Sequence, residues 1–167
     1  DQIARLDPQQ VSRVNAAQIK SLGTDKITGL TSEQIGAISF TALQALDTAQ
    51  IIALNTAQIR ALTEPQIRSL SPLQIAVLGA EDLQALNEDQ LQAFTSRQIG
   101  RMSTTQIATL FALPKMVFSE SQIAGINTTA VSSLTTNQLT NLDERQIKAL
   151  STTQVRALTA TQINGLK

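Results

Sequence analysis

Apolar residues along this chain fall into two columns that never lose step. One runs Ile3, Val11, Ile19, Ile27, Ile35, Leu43, Ile51 and on to Ile163, apolar in 20 of 21 positions, with Lys115 the exception. Three residues later comes Leu6, Val14, Leu22, Leu30, Ile38, Leu46 and on to Leu166, apolar in all 21. The next column is polar: Asp7, Asn15, Gly23, Thr31, Ser39, Asp47, Asn55 and onward, with 19 of its 20 members Ser, Thr, Asp, Asn or Gly. Gln directly precedes the first apolar column in 16 of 21 cases. The consensus is an octapeptide, [STDN]-x-x-Gln-Ile-x-Ala-Leu, repeated without insertion or deletion.

An eight-residue period limits the backbone sharply. A continuous α-helix turns about 100° per residue, so eight residues overshoot two turns by roughly 80°. Its apolar stripe would wind off any one face, and supercoiled helices need periods of seven or eleven. A strand places residues an odd number apart on opposite faces, and these columns are alternately three and five apart. Gln, Ala and Leu also favour helix over strand. One short helix per octad, restarted at the polar column, is what remains.

Local chemistry supports this in four ways. Ser, Thr, Asp and Asn are the preferred N-caps, and Gln three residues later completes a capping box, as in Thr31 with Gln34, Thr95 with Gln98 and Ser151 with Gln154. The Leu before each cap and the Ile or Val after each Gln are spaced for a hydrophobic staple, as in Leu30 with Ile35. Pro8, Pro65, Pro72 and Pro114 all fall in the expected first turn, where a missing N–H costs little. All 13 acids lie between N-cap and N3, whereas most bases (Arg5, Arg13, Lys20, Arg60, Arg68, Arg101, Lys148 and Arg156) lie at N5 or N6, as the helix dipole favours.

A helix of about seven residues is marginal alone, so the octads must stack until their Ile and Leu columns form one core. The predicted fold is therefore all-α: a solenoid or superhelical spiral of about 21 short capped helices. Residues 1–167 read as a single octapeptide-repeat array. Because it starts and stops in frame, it is expected to be a segment of a longer one.

Gln gives way at Lys26, Ala42, Asp82, Pro114 and Ala130. Most of these octads keep both apolar columns. The octad 111–118 does not: Phe111 stands at the cap, Pro114 replaces Gln and Lys115 replaces Ile. A shifted or partly extended segment is expected there, a kink filled by Phe111 and Phe118. The alternative is an apolar contact for a partner, carried by Phe111, Leu113, Met116 and Phe118.

Composition removes much chemistry. There is no His, Cys, Trp or Tyr, which excludes disulfides, Cys/His zinc sites, a Cys nucleophile and a Ser-His-Asp triad. Thirteen bases balance thirteen acids, so no positive field draws nucleic acid. Glu81, Asp82, Glu88 and Asp89 form the densest acid group, but they occupy helix starts and lack the spacing of a calcium loop. No cofactor, no metal, no transmembrane segment and no enzymatic activity are expected.

Octads such as Asn55-Thr56-Ala57-Gln58-Ile59-Arg60-Ala61-Leu62 resemble repeats of very large bacterial surface or secreted proteins of the adhesin-like, haemagglutinin-like or haem-utilisation kind. The resemblance covers the whole chain and implies an exported, non-catalytic array, either a stalk, a spacer or an adhesion module. The implied partner is a host or cell-surface protein. The competing reading is a helical-repeat scaffold whose N1, N2 and N5 side chains line a groove for a peptide, protein or nucleic acid.

Overall fold

The computed structural model describes residues 3–114 and 117–166. Among them are nineteen short α-helices, α1 (Pro8–Val11) through α19 (Ala160–Gly165), preceded by a single 3₁₀ turn at Ile3–Arg5. No strand occurs among the described residues. The helices fall where the octapeptide places them, and each N-cap backbone is extended, as at Thr31 with φ −73° and ψ 161°. The box closes as the pattern predicts: Gln34 N–H donates to Thr31 Oγ1 at 3.2 Å and Thr31 N–H donates to Gln34 Oε1 at 2.8 Å.

The helices end in an uncommon way. No described residue, glycine included, has a positive φ, so none of them stops in the left-handed conformation common at helix ends. In many octads the Leu itself swings into extended backbone, as Leu54 does at φ −63° and ψ 130°. The next residue is already the following N-cap, so Leu54 N–H still reaches Ile51 O at 3.2 Å, but the Leu54 carbonyl has no backbone donor in its own octad.

Helices three octads apart stack on one another. Thus α2 (Ala16–Lys20) packs on α5 (Phe40–Ala45), α7 (Thr56–Arg60) on α10 (Ala80–Ala85), and α10 on α13 (Thr104–Ala112). The Ile and Leu columns meet along one continuous core. Burial comes from neighbours rather than from within an octad. Ile123 is 0% exposed, but Val155 and Ile163, in the same column with no later turn over them, are 44% and 45% exposed. Some turns approach closely: a Cβ on Gly125 would lie 2.5 Å from the Ser96 carbonyl oxygen, so only Gly fits there.

The octad 111–118 departs from the rest. It forms no helix of its own among the described residues; instead α13 runs on through Phe111 and Ala112. Pro114 therefore lies in a turn beyond α13 and not in the first turn of a helix, contrary to the sequence expectation. The cause is local. Phe111 cannot cap, and helical backbone is disfavoured for the residue before a proline, so the preceding helix keeps going until Leu113 turns extended at φ −83° and ψ 119°.

Candidate functional site

The side chain that ties one turn of the spiral to another is the column glutamine. Its Oε1 closes the capping box, and its Nε2 reaches back to an earlier turn. Gln98 Nε2 donates to Ile67 O at 2.7 Å and Leu70 O at 2.8 Å. Gln66 reaches Ile35 O and Ile38 O at 2.9 and 2.8 Å, and Gln154 reaches Ile123 O and Ile126 O at 2.8 and 2.7 Å. Both acceptors lie at the end of an earlier helix: the Leu-column carbonyl has no backbone donor of its own, whereas the Ile-column carbonyl also accepts that Leu's N–H, as Ile67 O does from Leu70 N–H at 3.2 Å. Helices stack three octads apart and these bonds span 28 and 31 residues, so one turn of the spiral takes between three and four octads.

Among the described residues twelve glutamines make this bond, and the same twelve are buried: Gln34, Gln50, Gln58, Gln66, Gln74, Gln90, Gln98, Gln106, Gln122, Gln146, Gln154 and Gln162. A buried carboxamide left unpaired would cost about 1–3 kcal/mol. Here one side chain satisfies an N-terminal donor of its own helix and C-terminal acceptors of another. The capping box predicted the first half of this role and not the second. The available signal was the residue choice. A capping box takes Glu as readily as Gln, yet no Glu occurs at any of the 21 positions, because a carboxylate could accept at the cap but would have nothing to donate to the carbonyls.

The exceptions behave accordingly. Where Ala130 replaces Gln, Asn127 does both jobs: its Oδ1 accepts from Ala130 N–H at 2.9 Å, and its Nδ2 donates to Met102 O at 2.9 Å. Met102 O is the carbonyl that a Gln at 130 would have reached. Asp82 keeps only the acceptor half, taking Gly79 N–H at 3.0 Å, and Gly79 has no side chain with which to answer. Gln138 in α16 (Thr136–Thr140) keeps its cap, with Thr135 N–H at 2.8 Å. Its Nε2 finds no carbonyl among the described residues. Its counterpart acceptor, Leu110 O, lies inside the prolonged α13 and not at a helix end.

The sequence-derived contact residues lie beside this break. Phe118 is buried at 5%, Phe111 and Leu113 are half-buried, and Met116 lies outside the described residues. The Phe111 and Phe118 rings pack with centroids 4.6 Å apart at 32°. Gln146 Nε2 still reaches Phe118 O at 2.7 Å, so the end of this octad keeps its place in the spiral. Phe111, Leu113, Phe118, Leu142, Gln138 and Asn141 line a cavity of about 330 Å³.

Electrostatics contribute little. The one ion pair among the described residues joins Lys148 to Glu144 at 2.5 Å on the open face of α17 (Glu144–Lys148), both side chains at least 73% exposed. Glu81 and Asp82 sit in the first turn of α10, and Glu88 and Asp89 in that of α11 (Glu88–Gln92). No group of three potential metal ligands gathers among the described residues, and no helix is long and apolar enough to cross a membrane.

Comparison with known families agrees with the repeat. Residues 41–72 and 75–111 each match the family model of the ALTTAQ repeat, which supports a repeat protein. No curated protein matches the chain.

Proposed function

We propose that the chain is a non-catalytic structural segment, a stalk, spacer or adhesion module of a bacterial cell-surface or secreted protein. The observation that carries this reading is the ladder itself. Among the described residues twelve buried glutamines bond one turn of the spiral to another beside the apolar core. Such a seam resists both shear between turns and unwinding, which is what a spacer under tension requires. The exposed N1, N2 and N5 columns are mostly Thr, Ala, Ser, Glu, Gln and Arg, a surface suited to holding other parts apart. Membership in an exported protein rests on the octad's resemblance to bacterial surface repeats.

Two measurements test the reading. Protease applied to intact producing cells is expected to release peptides of this segment; release only after lysis would overturn the surface assignment. Single-molecule stretching of the chain between inert handles is expected to give stepwise extension against sustained force. Extension at forces no higher than those of an unfolded chain would remove the mechanical argument.

A further inference from the structure

The first and last turns of the spiral each carry one half of the junction that is repeated inside it. Within the spiral a column glutamine donates to carbonyls 28 and 31 residues earlier, as Gln98 does to Leu70 O and Ile67 O. Gln10 and Gln18 have no earlier turn beneath them. Their Oε1 atoms are fixed in capping boxes, by Asp7 N–H at 3.0 Å and Asn15 N–H at 2.9 Å, as they are along the ladder. Both side chains are exposed, and neither Nε2 meets an acceptor among the described residues. Beside Gln18 lies a hollow of about 300 Å³ lined by Ile3, Leu6, Val14 and Leu22.

The last turn carries the complement. Leu150 O and Leu158 O are helix-end carbonyls of the kind the ladder answers, and neither has a donor among the described residues. Val155 and Ile163, whose column is buried wherever a later turn covers it, stand 44% and 45% exposed. The two ends also match in register. Continuing the eight-residue frame from the last turn into a second copy sets its Gln10 opposite Leu150 O and Ile147 O, its Gln18 opposite Leu158 O and Val155 O, and its Lys26 opposite Leu166 O. Of the five departures from Gln in that column, at 26, 42, 82, 114 and 130, only Lys26 keeps a side-chain donor. It falls at this junction.

We propose that a second copy of this chain seats its first turn on the last turn of this one, head to tail. Its Gln10 and Gln18 amides answer the open carbonyls, and its apolar hollow covers Val155 and Ile163. The contact is heterologous and follows the spiral axis, so each copy keeps one open end and association runs on into a filament. Such stringing follows from the two ends alone and holds whether or not the chain is exported.

Sedimentation velocity of the intact chain over a concentration series is expected to show a mean mass that climbs past two copies without a plateau. Gln10→Glu with Gln18→Glu keeps both capping acceptors and sets carboxylates against the carbonyls, so at neutral pH association should weaken at least about tenfold. Val155→Asp with Ile163→Asp should do the same from the other end. Both double variants should keep the wild-type circular-dichroism spectrum. Each retains one sound end, so an equimolar mixture of the two should form a dimer and stop there. A wild-type chain that stays monomeric at millimolar concentration, variants that associate as the wild type does, or a mixture that stays monomeric would each overturn the proposal. A wild-type plateau at two copies would mean contact between like ends and overturn it equally.

Discussion

Two regions of this spiral carry the same glutamine in different surroundings. In the regular run, Gln98 is 1% exposed and spans two turns, its Oε1 on Thr95 N–H and its Nε2 on Ile67 and Leu70 carbonyls. Beside the irregular octad, Gln138 keeps the cap and has lost the second half. Nothing in the immediate neighbourhood of Gln138 distinguishes it, since Thr135-Thr136-Asn137-Gln138-Leu139 is as good an octad start as any. The difference was made one turn of the spiral earlier, where Phe111 failed to restart the helix. Local capping and long-range bridging are therefore separable, and only the second depends on the neighbouring turn.

The comparison can be broken most severely in the core. Leu86 is 1% exposed, so Leu86→Asp buries a charge and should cost about 4 kcal/mol or more. Exposed Glu88→Ala should stay within about 0.5 kcal/mol. Thermal melts of the pair check the register, and equal shifts would contradict it.

Next comes the ladder. Gln98→Glu keeps the cap but sets a carboxylate against two carbonyl oxygens, at an expected cost of about 3 kcal/mol at pH 8. Gln138→Glu should cost less than about 0.5 kcal/mol. Burial beside carbonyls raises the introduced carboxyl's pKa in the folded state, so the proton is held more tightly folded than unfolded. The Gln98→Glu variant should therefore recover stability as pH falls and lose it as pH rises through that raised value. Denaturant titrations at pH 4.5 and pH 8 would reveal the sign.

Repairing the irregular octad should erase the contrast. Phe111→Ser, Pro114→Gln and Lys115→Ile together restore cap, box and core residue, with an expected gain of about 2 kcal/mol. Circular dichroism should report added helix, and Gln138 Nε2 should become protected from exchange. The smallest effect belongs to Asp82→Gln, which restores a donor toward Leu54 O and should add about 1 kcal/mol. A loss of stability in its place would mean that the acid serves another purpose at that position.

Much of this was legible in the chain alone. The two apolar columns and the polar cap located the helices, and the loss of cap, Gln and Ile together located the octad that forms no helix of its own. Pro114 was misplaced, because its position in the frame promised a helix start that Phe111 could not begin. The contact residues were legible as an anomaly. Their arrangement, with Phe111 against Phe118 and Leu113 on a cavity wall, was not, since it depends on how far α13 runs past Leu110.

What the linear order determined is whatever acts within a single octad: caps, box, the place of proline, and which side chains must be hidden. These are contacts whose partners lie three or four positions away, so their geometry is the same wherever the motif occurs. The folded spiral decided the rest: three to four octads per turn, helix-end carbonyls answered by amides of a later turn, and a space beside Gln138. Those depend on the angle at which each short helix leaves the last. That angle comes from packing many side chains at once, and no single octad specifies it.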